Sequence, residues 1–179
     1  KYKYASDPLI WLLSFIPALK ENKQPEPKTV QDVIRASSAD YILYADGSCV
    51  FSNGQSTGTG GWAYFIEKRK GKKYTEFSRN SGNLENTDNN VMEVMAVCQG
   101  LAAIPEDRQV LVITDSLVLE RGISSFREGA FCHTEGGKSL KAEWNRLREL
   151  MLTHDVSVSR VKSQSGIHQH RFCHNTAKK

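Results

Sequence analysis

Hydrophobic positions change their spacing several times along the chain, and each change predicts an element. Tyr41–Val50 is an almost unbroken apolar run, the pattern of a strand buried on both faces. Ser52–Gly61 is polar and glycine-rich, which predicts a loop. Trp62–Lys68 and Tyr74–Arg79 are strand-like and flank the basic stretch Arg69–Lys73, which predicts a hairpin with a solvated tip. From Asn90 the period becomes helical, with Val91, Val94, Met95, Cys98, Leu101 and Ala102 on one stripe. Glu93 falls in the first turn and off that stripe, so packing gives no reason for it. Pro105 closes this helix, and Val110–Thr114 is a second wholly apolar strand. Ser116–Phe126 predicts a short helix and Leu140–Leu152 a clear one, with Leu140, Trp144, Leu147 and Met151 on one side. Gly129–Gly137 between them is irregular. Val156–Val161 alternates as a strand, and Gln164–Lys179 is polar, rich in histidine and partly helical.

Strand, hairpin, helix, strand, two helices, strand and a partial helix predict an α/β domain, a mixed sheet with helices on its faces. Ligands in such sheets gather at the carboxyl ends of the parallel strands. Residues 40–179 form this domain and residues 1–39 an N-terminal helical extension and linker. Within the extension, Asp7 before Pro8 reads as a helix start, and the apolar stretch Pro8–Leu19 is shorter than the roughly 20 residues a bilayer span needs. It reads as a helix docking on the domain or on an upstream part, with a partner-binding or membrane-surface helix as the sharper alternative. Asn22–Thr29 carries two prolines and reads as a linker, and Val30–Ala36 adds a turn of helix.

The length of 179 residues fits one domain with an appendage, and 39% hydrophobic residues support a core once a polar segment is set aside. The net charge of +4 suits a nucleic-acid partner without requiring one. The four cysteines, Cys49, Cys98, Cys132 and Cys173, include no Cys-x-x-Cys pair and read as reduced thiols of a cytoplasmic monomer. Cys132-His133 and Cys173-His174 offer zinc donors, but their spacing matches no common zinc module. The first residue is Lys1, which leaves an upstream domain, or a protein partner reached through the extension, as an expectation.

The candidate chemistry lies in three acids at the edges of strong elements: Asp46 before a glycine, Glu93, and Asp115 before a serine. Asp-Gly and Asp-Ser also simply begin turns, and either aspartate alone reads that way. Together with Glu93 they predict a centre for Mg2+ or Mn2+ acting on phosphate. Hard cations take carboxylate oxygens, and two of them about 4 Å apart can activate water and stabilise a leaving oxygen. Clustered carboxylates repel one another without such ions.

Asp46-Gly-Ser-Cys49, the Gly60-Gly61 pair, Asn89-Asn90-Val-Met-Glu-Val-Met-Ala96, and Thr114-Asp115-Ser116 followed by Arg121-Gly-Ile123 together resemble ribonuclease H of type 1. The resemblance covers residues 41–177. It implies a ribonuclease H-like five-stranded mixed sheet, its first three strands antiparallel, with helices on both faces. It also implies metal-dependent hydrolysis of the RNA strand of an RNA/DNA hybrid, leaving a 3′-hydroxyl and a 5′-phosphate. Carried over by position, Asp46, Glu93 and Asp115 bind a two-metal site. Asn89 and Asn90, with the backbone near Gly47 and Ser48, touch the RNA strand, where an amide can pair with a 2′-hydroxyl. A helix-cap pair is the alternative for Asn89 and Asn90, and both readings can hold together.

The family pattern ends with a loop histidine and a fourth acid. Without gaps these fall on Gln164 and His174, and a one-gap register puts Lys178 at the acid, so neither supplies a carboxylate. His174 as the fourth ligand predicts better support by manganese than by magnesium, because imidazole binds magnesium poorly. Gln164 can position a water or a phosphate but shuttles no proton. His168 and His170 read as solvated loop residues that could stand in for the missing histidine. The family's basic, tryptophan-rich substrate handle is missing from Phe126–Lys138, where Arg127 and His133 stand beside Glu128 and Glu135. The alternative function is therefore a module of the same fold, with cleavage lost or attenuated, that binds hybrid or structured RNA. A DNA-cutting relative is a third reading, against which Asn89-Asn90 argues.

Overall fold

The computed structural model describes residues 29–51, 57–129, 138–162 and 166–179. The predicted Pro8–Leu19 helix, most of the linker, Cys132, His133 and Gln164 lie outside the described residues. The elements are α1 (Val30–Ala36), β1 (Tyr41–Phe51), β2 (Gly58–Lys70), β3 (Lys73–Thr87), α2 (Asn89–Ala102), β4 (Arg108–Thr114), α3 (Leu117–Arg127), α4 (Lys138–Leu152), β5 (His154–Arg160) and α5 (His168–Ala177).

The strands form one five-stranded sheet in the order β3-β2-β1-β4-β5. The pairs β1–β2 and β2–β3 are antiparallel, and β1–β4 and β4–β5 are parallel. This is the ribonuclease H-like mixed sheet that the motifs imply. Period-two alternation sends the residues of β1 to two separate cores. Tyr41, Leu43 and Ala45 face α2, α3 and α4, with Val91, Val94, Leu119, Ile123, Leu147 and Met151. Ile42 and Tyr44 face α5, with Phe65, Ile113, Ile167, Cys173 and Ala177. A strand between two cores must be apolar throughout, which is why β1 and β4 read as unbroken runs.

Several features differ from the sequence expectation. The predicted loop Ser52–Gly61 is shorter, because β2 already begins at Gly58 opposite Phe51. The third strand runs on to Thr87 rather than stopping at Arg79. It is an edge strand exposed over most of its length, so it shows no hydrophobic alternation, and backbone bonding to β2 holds it in the sheet. The buried face of α2 is also wider than the predicted stripe. Met92, Ala96 and Val97 are buried as well, because the helix lies between the sheet and α4. Residues outside the predicted domain join it: α1 opens with a reciprocal capping box between Thr29 and Asp32, and Val30, Val33 and Ile34 pack on the α5-side core.

Candidate active site

Register brings Asp46 and Asp115 together. Tyr44 pairs with Ile113 across the parallel β1–β4 ladder, and each aspartate lies two residues beyond that pair. Two residues is one full pleat, so both side chains project from the α5 side of the sheet, just past the end of the β1–β4 ladder. Asp46 is buried and Asp115 half-buried. Glu93 arrives from the opposite side on α2, is 7% exposed, and is accommodated at Gly47. A Cβ at Gly47 would collide with the backbone of Met92 and Glu93, so glycine is what lets the first turns of α2 close on β1.

The electrostatics show how crowded the centre is. Burial first, then the charges of Asp46 and Asp115, push the Glu93 carboxyl well above its ordinary value, against a hydrogen bond from the Gly47 backbone. Burial and then the charge of Asp115 raise Asp46, against the hydrogen bond from His174. Glu93 Oε2 is buried without a hydrogen-bond partner among the described residues. Mutual repulsion together with an orphaned carboxylate oxygen is a condition that divalent cations relieve, so the donor set fits hard metal ions.

The last helix closes the site. Cys173 Sγ donates to the carbonyl of Tyr44 at 3.4 Å, and Phe172 packs edge-on against Phe65, seating α5 on β1 and β2. His174 Nδ1 then lies 2.7 Å from Asp46 Oδ2. His170 departs from the sequence reading. It is not a solvated loop residue but a helical one, 1% exposed, with Nε2 3.9 Å from Asp115 Oδ1. Polar composition hid this, since it gave no sign of which face of α5 turns inward. The four-residue spacing from His174 was the available signal, because i and i+4 share a helix face. His168 is exposed.

Asn89 and Asn90 occupy the first two positions of α2, both exposed. They do not cap it. Asp88 does, accepting from the Val91 amide at 3.0 Å, so both asparagine side chains are spared that duty. Gly47 is buried and Ser48 half-buried in β1, directly after Asp46.

A fold with this ladder, these three acids and this helix pair is also recognised from outside the site: the RNase H family pattern matches residues 38–179. The chain belongs to the ribonuclease H family. A Ribonuclease H from Rhodopirellula baltica is 32% identical over 143 residues, covering 75% of this chain and 86% of that protein. Among solved structures, LC9-RNase H1, a type 1 RNase H with the type 2 active-site motif, gives a TM-score of 0.65 at 19% identity over 79% of this chain and 72% of that one. LC11-RNase H1 in complex with RNA/DNA hybrid gives 0.57 at 18% identity over 77% of this chain and 96% of that one. At such identities the two structures show that this ribonuclease H shares their fold. No helix among the described residues is long and apolar enough to cross a membrane.

Proposed function

We propose that this ribonuclease H hydrolyses the RNA strand of RNA/DNA hybrids with two Mg2+ or Mn2+ ions held by Asp46, Glu93, Asp115 and His174. One observation carries the reading: Asp46 on β1 and Asp115 just after β4 stand close enough to Glu93 on α2 that their charges, after burial, raise its proton affinity, and Asp115 does the same to Asp46. When bound, the ions supply an activated water and charge stabilisation for the leaving oxygen.

The chain's own residues position the rest. His174 holds Asp46 through Nδ1 and offers an imidazole beside it. The Gly47 backbone orients Glu93. Asn89 and Asn90 present free amides that can donate to and accept from a 2′-hydroxyl, which selects RNA over DNA. The backbone at Gly47 and Ser48 is assigned to contacts with the same RNA strand, and Gln164 to placing a water or phosphate. The imidazole at the fourth position favours Mn2+ over Mg2+. LC11-RNase H1, with its bound hybrid, supports the choice of substrate through the shared fold. The unpaired thiols Cys49, Cys98 and Cys173 support a reducing compartment, the cytoplasm.

The test uses labelled RNA/DNA hybrid, duplex DNA and single-stranded RNA with each metal in turn, beside Asp46→Asn. Cleavage confined to the hybrid and lost in the variant is the expected result. Tight hybrid binding without cleavage in any metal would instead establish the attenuated binding module, whose sequence basis is the missing fourth carboxylate.

A further inference from the structure

His170 is not used by the reading above, yet it has the most buried imidazole among the described residues. It is 1% exposed, and its Nε2 is buried with no hydrogen-bond partner among the described residues. That nitrogen points at the acids: it is 3.9 Å from Asp115 Oδ1, outside hydrogen-bond range. One ligand atom each from Asp46, Asp115 and His170 lie within 4.8 Å of one another. Two donors each about 2.1 Å from one ion can stand up to about 4.2 Å apart, so small side-chain adjustments let the three share a cation.

Helix geometry doubles the effect. His170 and His174 are four residues apart on α5, hence on one face, and α5 packs on β1 and β2. His170 stands against Asp115 and His174 against Asp46, so the two imidazoles bracket the aspartate pair. Carboxylates alone suit magnesium, whereas added imidazole nitrogens shift preference toward first-row transition ions. Histidines at i and i+4 on one helix are a recognised way to hold such an ion.

We infer that His170 is a metal ligand of this chain and that the imidazole pair of α5 makes the centre selective for Mn2+, Co2+ or Zn2+ over Mg2+. The inference rests on the metal-dependent reading of the same site, but it is tested by binding rather than by turnover.

Calorimetric titration of the full chain with Co2+, Zn2+ and Mg2+ alone is compared with His170→Asn, which substitutes an oxygen donor, and His170→Leu, which removes the donor at similar bulk. Co2+ and Zn2+ affinity falls at least about tenfold in both variants, while Mg2+ affinity in His170→Asn stays within about threefold. Because a buried site can resist substitution, the wild-type chain supplies a second readout. In a long-range proton–nitrogen spectrum of the histidine rings, saturating Zn2+ shifts the His170 Nε2 resonance. An unmoved His170 resonance at Zn2+ saturation, or folded variants that bind Co2+ and Zn2+ as the parent does, overturns the inference. If that happens while Mg2+ still supports hybrid cleavage, the nuclease reading survives alone. Zn2+ bound at His170 with no cleavage in any metal leaves the site standing and removes the nuclease reading. No binding of any divalent ion removes both.

Discussion

His174 Nδ1 and Asp46 Oδ2 lie 2.7 Å apart, joining the last helix to the first strand across 128 positions of sequence. With Asp46 ionised the imidazole donates, and the bond lowers the proton affinity that burial and Asp115 raise. The partner of Asp46 is thus a ring nitrogen, from the residue that an ungapped register of the family pattern sets at the fourth acid.

His174→Ala removes this partner from a side chain that is 33% exposed, so the fold survives. Hybrid cleavage is expected to fall about 10- to 100-fold, as for loss of a group that orients a metal ligand, with the larger drop in Mn2+. Initial rates in the two ions check this. Parent-like rates in both would take His174 out of the site.

Glu93 ties stability to pH in the metal-free protein. Its folded-state proton affinity is raised above the ordinary value of 4.5. A raised carboxyl contributes stability that is present below the unfolded pKa and is lost as pH rises through the folded one. Chelator-treated protein therefore loses this contribution from about pH 4.5 upward. Glu93→Gln flattens the dependence and leaves the metal-free protein more stable than the parent at pH 7. Urea unfolding of both proteins across that range, in chelator and then in excess Mn2+, measures it. The ion should reverse the ranking by stabilising only the parent. A parent and variant with parallel pH profiles would contradict the crowding of acids described here.

Gly47→Ala places a methyl group in the backbone of Met92 and Glu93. Backbone cannot rotate away as a side chain can, so the variant is expected to lose about 1–3 kcal/mol or more. Cleavage should fall beyond what the lost folded population explains, because Glu93 is pushed from Asp46. Denaturant unfolding and single-turnover rates separate the two effects.

Asp88 and its two neighbours divide stability from recognition. Asp88→Ala removes the cap on α2 and is expected to cost about 1 kcal/mol. Replacing both Asn89 and Asn90 by Ala touches exposed side chains without cap duty, so stability stays within about 0.5 kcal/mol. Hybrid affinity should drop while affinity for duplex DNA does not. Melting curves and binding titrations on both variants decide whether the asparagines serve the helix or the substrate.

Much of this centre was readable before folding. Asp46, Glu93 and Asp115 each lie in or directly after an element whose pattern is strong, and β1 and β4 announce two-sided burial by their apolar runs. The length of β3 was not readable, because an exposed edge strand needs no hydrophobic pattern to stay paired. His170 was misjudged for a related reason: in a polar helix, composition does not say which residues turn inward.

The chain sequence alone determined the order of elements, the residue types of the acids and the absence of a carboxylate at His174, since these are matters of local spacing and identity. The tertiary structure alone decided that the acids meet and that α5 lays two imidazoles across them. The meeting depends on the β1–β4 register, on the missing side chain at Gly47 and on Cys173 and Phe172 seating the last helix. Those relations join residues far apart in the chain, and local periodicity carries no information about distances between them.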